Sequence, residues 1–219
     1  MPLNRPVVIA IDGPSASGKG TLAKSLAASL NFGYLDTGAV YRLVAKAVLD
    51  QGGAPENAAD AIKAAKAVRA GFDPAQLENP DLRRDEVAQA TSKASAHPEV
   101  RALLMAIQRD FAYDPARPGA VLDGRDIGTV VCPEASLKLF VTASPEIRAE
   151  RRFKELQNKG FETTYEAVLQ DMRERDARDS GRTIAPLRPA EDAILFDTSE
   201  LTADMALKKA LHLARPYLD

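Results

Sequence analysis

The chain has 219 residues, of which 45% are hydrophobic and 27% charged, a balance typical of a globular protein whose length fits one α/β domain with small appendages. The formal net charge of −2 produces no overall positive field that would attract nucleic acid or an anionic membrane, so we expect neither as a partner. Any anion must therefore be bound by locally clustered Arg and Lys. The single cysteine excludes an intrachain disulfide, and neither a membrane span nor a secretory signal is evident, so we expect a cytoplasmic protein.

Short apolar runs alternate with amphipathic stretches along the chain. Residues 7–12 (VVIAID), ended by Gly13 and Pro14, are typical of a buried parallel strand, and TLAKSLAASL then places leucines 22, 26 and 30 on one helix face. Further strands are predicted at 34–35, 120–123, 137–143 and 193–197. Further helices are predicted at 39–49, 83–96, 98–112 and 202–214. Two more helices should begin after Ser144-Pro145 and after a capping box of Thr163 and Glu166. This alternation predicts an α/β fold with three layers, a parallel sheet of about five strands with helices on both faces.

The composition changes between Gly52 and about Asp81. An Ala-rich helical stretch, NAADAIKAAKAVRA, precedes FDPAQLENPDL, which two prolines interrupt. We interpret residues 52–82 as a short accessory insertion in a single domain, residues 1–219, whose core covers about 5–50 and 83–219. An Arg-rich lid is expected at about 173–188.

Residues 13–19, GPSASGK, fit the phosphate-binding pattern G-x-x-x-x-G-K, known as the P-loop. The match follows a strand and opens a helix, as the mechanism requires: backbone N–H groups and the helix N-terminus surround phosphate oxygens, and Lys19 reaches the β- and γ-phosphates. The alternative is a glycine-rich turn with a solvated lysine. Gly20 stands where the general pattern has Ser or Thr, so we expect no direct protein ligand for Mg²⁺, which phosphates and water would mainly hold.

Arginines are clustered in several places along the chain. A site for two nucleotides needs many cations, and the planar guanidinium donates two hydrogen bonds to a phosphate. The candidates are Arg42, Arg101, Arg125, Arg151, Arg152, Arg173, Arg175, Arg178 and Arg182. For the run near 175 the alternative is a solvated helix with pairs such as Arg175–Asp179. Asp123 ends a predicted strand and is either a Mg²⁺ partner through water or structural.

The sequence resembles the bacterial cytidylate kinase family over roughly residues 7 to 199. Five blocks carry the resemblance and occur in the family's order: IDGPSASGKGT, YLDTGAVYR, LDGRDIGTVVCPEA, RERDARDSGR followed by APL, and DAILFDTS. The resemblance implies a P-loop kinase fold, ATP with Mg²⁺, CMP or dCMP as acceptor, and a monomer. It implies catalytic roles for Lys19, Arg125 and Arg182. The implied ATP site comprises Gly13, Pro14, Ser15, Ala16, Ser17, Gly18, Lys19, Gly20, Thr21 and Arg151.

On the acceptor side, the resemblance implies that Thr37, Arg42, Arg125 and Arg182 lie near the CMP phosphate. It further implies that Arg175 and Asp179 hold the sugar, and that Ser92, Arg101 and Asp126 face the cytosine. The family often carries a larger insertion with a small antiparallel sheet, whereas residues 52–82 here are shorter and lack an alternating strand pattern.

Three other functions are alternatives. The first is a kinase for UMP and CMP or for another nucleoside monophosphate. The second is a P-loop kinase with a hydroxyl acceptor, which needs a positioned carboxylate base. The third is a GTPase-like binding module, which needs N-K-x-D; residues 158–161 are NKGF and end in Phe instead.

Overall fold

The computed structural model describes residues 6–181 and 185–218. Its strands are β1 (Val7–Asp12), β2 (Gly33–Asp36), β3 (Gly119–Gly124), β4 (Leu137–Thr142) and β5 (Ile194–Asp197). They form one parallel sheet in the order β2-β3-β1-β4-β5, with helices on both faces. The predicted three-layer α/β architecture and the five strands are confirmed.

The register of β1 determines which loops emerge together. β1 lies in the centre of the sheet, where Ile9 pairs with Val121 of β3 and with Leu137 of β4. At its end Asp12 pairs with Gly124. The segments that follow β1 and β3 therefore leave the same edge side by side, which is where ligands bind in parallel α/β sheets.

The described residues contain eight α-helices at the following bounds: α1 (Lys19–Leu30), α2 (Thr37–Asp50), α3 (Ala58–Ala70), α4 (Asp85–Ala94), α5 (Pro98–Ala112), α6 (Pro145–Asn158), α7 (Tyr165–Ser180) and α8 (Ala203–Ala214). Shorter turns of 3₁₀ helix occupy Pro74–Glu78, Pro80–Arg83 and Arg215–Tyr217, and a π-helical turn occupies Ile127–Val131. Within these described ranges, no helix is long and apolar enough to cross a membrane.

Side-chain caps explain where two of the helices begin. The hydroxyl of Ser144 accepts a hydrogen bond from Ile147 N at 3.3 Å ahead of Pro145, as predicted. The capping box predicted at Thr163 is wrong, because Thr164 caps α7 and accepts from Ala167 N at 3.2 Å. Adjacent threonines offer the same hydroxyl, and only the backbone distinguishes them: Thr164 is the last extended residue, with φ −112° and ψ 156°.

The chain divides into two compact units. The first comprises Met1–Tyr34 and Pro115–Asp219. Its core lies between the sheet and helices α1 and α8, and is built of residues such as Ile9, Leu26, Phe196 and Ala210. The predicted apolar face of α1 is present, since Leu22 and Leu26 are buried and Leu30 packs against the same core.

The second unit, Leu35–Asp114, is helical. Helix α2 packs against α4 through Ala45, Val87 and Ala90. Ala61 and Ala65 of the Ala-rich helix α3 are completely buried. Residues 52–82 thus form one α-helix and two 3₁₀ turns, in accord with the helical pattern of their sequence.

Candidate active site

The P-loop connects β1 to α1 in a conformation that needs two of its glycines. Gly13 has a φ of +151°, and a Cβ there would lie 2.0 Å from the Val141 carbonyl oxygen of β4. Gly18 has a φ of +85° and precedes α1, whose N-terminus has no side-chain cap. The N-terminal N–H groups of α1 are consequently left for a ligand to satisfy.

Ser17 is the most enclosed residue of this loop. It is completely buried, and its Oγ has no hydrogen-bond partner within residues 6–181 and 185–218. A buried hydroxyl without a partner costs about 1–3 kcal/mol, so its presence here fits a ligand oxygen as the missing partner.

Lys19 and Asp123 meet at the edge formed by β1 and β3. Lys19 Nζ lies 3.5 Å from Asp123 Oδ1, with side chains 14% and 7% exposed. A Cβ on Gly20 would lie only 3.0 Å from Asp123 Oδ2. The departure from the usual Ser or Thr at position 20 therefore leaves room for the Asp123 carboxylate.

Asp12 anchors the segment that follows β3. Its carboxylate accepts hydrogen bonds from the N–H groups of Ile127 at 2.9 Å and Gly128 at 2.8 Å. Burial raises the pKa of Asp12 to about 7, and the neighbouring Asp126 and Asp123 carboxylates act in the same direction against the lowering effect of the two hydrogen bonds. Asp126, at 7% exposure, is held close to the end of β1 by this anchor.

Arg125 pairs with helix α7. Its Nε lies 3.3 Å from Asp179 Oδ2, and its Nη1 donates to the Gly124 carbonyl oxygen at 3.2 Å. Asp179 is buried, whereas Arg175 on the same helix is exposed. Asp179 is thus not a solvated surface carboxylate. Arg182, predicted as a catalytic residue, lies outside the described residues.

Four predicted acceptor residues belong to the second unit. Thr37 is buried at the start of α2, and Ser92 is exposed on α4. Arg42 Nη1 lies 3.4 Å from Asp36 Oδ2, while Asp36 caps α2 by accepting from Ala39 N at 3.0 Å. The Arg101 guanidinium lies 5.4 Å from the centre of the Tyr41 ring, a cation–π contact that orients it.

Two further residues hold the P-loop and were not identified from the sequence. Thr198 Oγ1 donates to the Ser17 carbonyl oxygen at 2.8 Å and accepts from Arg151 Nη1 at 3.1 Å. Arg148 donates to the Ser15 carbonyl oxygen at 3.3 Å. These contacts span 181 and 133 positions, so no local sequence pattern reveals them.

A central strand that runs into G-x-x-x-x-G-K and a helix, within a parallel sheet covered on both faces, is the P-loop fold, which the P-loop kinases share. A solved structure of a sugar kinase from Janibacter sp. has the same fold, with a TM-score of 0.50 and 16% identity over 97% of this chain and 96% of that one.

The chain belongs to the cytidylate kinase family, whose model matches residues 9–216. It is 56% identical over 209 residues to a cytidylate kinase of Rhodospirillum rubrum, covering 94% of this chain and 96% of the relative. A cytidylate kinase of Paramagnetospirillum magneticum is 58% identical over 205 residues, with 93% and 95% coverage. The family expected from the sequence motifs is confirmed.

Proposed function

We propose that this protein transfers the γ-phosphoryl group of ATP to CMP or dCMP, giving CDP or dCDP. One observation carries the proposal: a P-loop of the geometry described lies within a chain that matches the cytidylate kinase family over residues 9–216. The relatives cited are named cytidylate kinases at more than half identity. Nucleotide metabolism of this kind belongs in the cytoplasm, where we propose that the protein acts.

The donor side is proposed to work through the P-loop. Backbone N–H groups of residues 13–21 bind the ATP phosphates, Ser17 Oγ donates to one of their oxygens, and Lys19 neutralises charge on the β- and γ-phosphates. Arg151, held by Thr198 next to Gly18, adds positive charge at the same loop.

Mg²⁺ fits this arrangement as a partner of the ATP phosphates. Asp123 is a buried carboxylate at the edge where the P-loop lies, and Gly20 leaves its oxygens room. Asp123 would hold the ion through water, and when bound Mg²⁺ supplies charge neutralisation on the phosphates. Lys19 and the surrounding arginines balance the remaining charge.

On the acceptor side, a phosphate acceptor explains the chemistry without a general base. The second pKa of a phosphate monoester is ~6, so the CMP phosphate is mostly dianionic at neutral pH and its oxygen is already a nucleophile. Arg125, Arg182, Arg42 and Thr37 are proposed to bind and align this phosphate. Alignment and charge neutralisation then supply the rate enhancement.

Recognition of the nucleoside is proposed to depend on Arg175 and Asp179 for the sugar, and on Ser92, Arg101 and Asp126 for the base. A carboxylate accepts from the cytosine N4 amino group, and a guanidinium donates to N3 or O2. The Arg-rich segment at about 173–188 is proposed to close over the nucleotides and exclude water, which would limit hydrolysis of ATP.

A coupled assay of ADP release tests the proposal. The protein is supplied with Mg-ATP and one acceptor at a time: CMP, dCMP, UMP, AMP, GMP, cytidine or a sugar. We expect rapid turnover with CMP and dCMP and little with the others. Turnover with cytidine or a sugar alone would identify a hydroxyl-acceptor kinase, and nucleotide binding without turnover on any acceptor would identify a binding module. Both results would contradict the proposal.

A further inference from the structure

Arg148, near the start of helix α6, is a buried arginine of the first unit. Its side chain is 4% exposed, and its Nε donates to the Ala143 carbonyl oxygen at 3.0 Å. Nη1 lies 3.2 Å and Nη2 2.5 Å from the two oxygens of Asp176 on α7, a bidentate pair. Such a geometry fixes both side chains, because the planar guanidinium leaves no rotation that keeps both bonds.

The same guanidinium also contacts the P-loop. Nη1 donates to the Ser15 carbonyl oxygen at 3.3 Å, in the middle of the loop between Gly13 and Gly18. Arg148 thus joins the loop proposed to hold the ATP phosphates to helix α7. One side chain connects the residue that follows β4, the P-loop and α7.

A second contact joins the same two segments independently. Ala16 of the P-loop packs against the cluster of Ala149 from α6 with Val168 and Met172 from α7. Ala16 has a φ of +57°, which is uncommon for a residue other than glycine and persists where the surroundings impose it. The loop conformation is therefore held from the α6–α7 side by a hydrogen bond at Ser15 and by packing at Ala16.

Helix α7 is the element that carries the sugar-binding candidates. Asp176 lies next to Arg175 and three residues before Asp179, so Asp176 and Asp179 lie on nearby parts of one helix face. Asp179 pairs with Arg125 at the end of β3. The orientation of α7 is thus fixed by two ion pairs, one of which also reaches the donor loop.

We propose that Arg148 and Asp176 form a positioning pair that holds the P-loop and helix α7 in a fixed relative position, so that the donor phosphates and the acceptor nucleotide are aligned for transfer. This inference rests on the proposed function. Neither residue needs to touch a substrate, because both act through Ser15 and through α7. A misplacement of about 1 Å in such a site can cost as much as ~10²-fold in rate.

The test uses Arg148→Lys, Asp176→Asn and the double variant in the full-length protein. Glu146→Gln is the matched control, because the Glu146–Arg173 pair also joins α6 to α7, at 3.6 Å, but both side chains are 58% exposed and the pair includes no residue of the P-loop. For each protein, Tm, the Kd for ATP without acceptor, and kcat and KM with CMP are measured well below Tm.

We expect kcat to fall about tenfold in each single variant, with weaker ATP binding, and the double variant to resemble the singles because one pair is broken in all three. Glu146→Gln should match the parent. A purely structural pair would lower Tm while leaving Kd, kcat and KM of the folded protein unchanged, and this would overturn the inference, as would multiplicative effects of the two substitutions. The ATP-binding arm needs no acceptor, so failure of the parent to phosphorylate CMP would contradict the proposed function without deciding the role of the pair.

Discussion

The two units hold their candidate residues by different means. In the first unit the contacts around the P-loop join distant segments: Asp12 to Ile127 and Gly128, and Thr198 to Ser17 across 181 positions. In the second unit Arg42 pairs with Asp36, six positions away, and Ser92 is exposed on its helix. The P-loop is built largely of backbone groups, whereas the acceptor candidates of the second unit are side chains on helices α2, α4 and α5.

This difference separates two kinds of substitution effect. A change in the P-loop alters backbone geometry that every reaction of the enzyme uses, so we expect a loss of turnover with any acceptor. A change at a helix side chain of the second unit alters one contact with one substrate, so we expect a change in KM for the acceptor with ATP binding preserved.

Lys19→Ala should have the largest effect. Loss of the charge at the β- and γ-phosphates should reduce kcat at least about a hundredfold, which corresponds to ~2.7 kcal/mol or more of transition-state stabilisation. The measurement is steady-state kinetics on a variant shown by circular dichroism to be folded. Lys24→Ala, at an exposed position of the same helix, is the control and should retain parental kcat. Near-normal activity of Lys19→Ala would rule out the P-loop assignment.

Arg182→Ala should come next. A hydrogen bond between an arginine and a phosphate contributes about 1.5–3 kcal/mol, so its loss in the transition state predicts a fall in kcat of roughly ten- to a hundredfold. ATP binding should change much less, because Arg182 is assigned to the acceptor phosphate. Separate titrations of ATP binding and of turnover make the distinction. An effect confined to ATP affinity would move Arg182 to the donor side.

Arg101→Ala should raise KM for CMP about tenfold, from the loss of one charged hydrogen bond to the base, with the Kd for ATP unchanged. Arg109→Ala, at an exposed position further along the same helix, is the matched control. If Arg101→Ala weakened ATP binding and left KM for CMP unaltered, the assignment of Arg101 to the acceptor base would fail.

The strand, loop and helix around residues 13–21 could be predicted from the sequence, whereas the residues that support the loop could not. Residues 13–21 are contiguous, so the strand, glycines, lysine and helix can be recognised together. Nothing in α6 distinguishes Arg148 from Arg151 or Arg152 before folding, although Arg148 alone of the three is almost completely buried. In the sequence, Gly20 stands out only because the P-loop pattern usually has Ser or Thr at this position. Its proximity to Asp123 depends on the pairing of β1 with β3, which a single sequence does not specify.

The smallest expected effect concerns stability and pH. The pKa of Asp12 is raised to about 7 in the folded state, so between the ordinary pKa of an aspartate and 7 the folded state binds more protons than the unfolded state. The free energy of unfolding therefore falls as pH rises through 7. This group alone predicts a decrease of about 1 kcal/mol in unfolding free energy between pH 6 and 7. Urea denaturation at both values, for the parent and Asp12→Asn, measures it. Equal changes in the two proteins would show that Asp12 is not the group responsible.

The ratio of kcat/KM for CMP to that for UMP tests most directly whether the acceptor base is cytosine. Cytosine presents an N4 amino donor and an N3 acceptor, whereas uracil reverses both and would set O4 against the Asp126 carboxylate. Sites of this kind discriminate by as much as ~10⁴-fold, and the short insertion leads us to expect less here. We expect a strong preference for CMP in the parent, and a smaller preference in Asp126→Asn. If Asp126→Asn bound both nucleotides more weakly with an unchanged ratio, the role of Asp126 would be limited to orienting Arg125. Equal use of CMP and UMP by the parent would contradict recognition of cytosine.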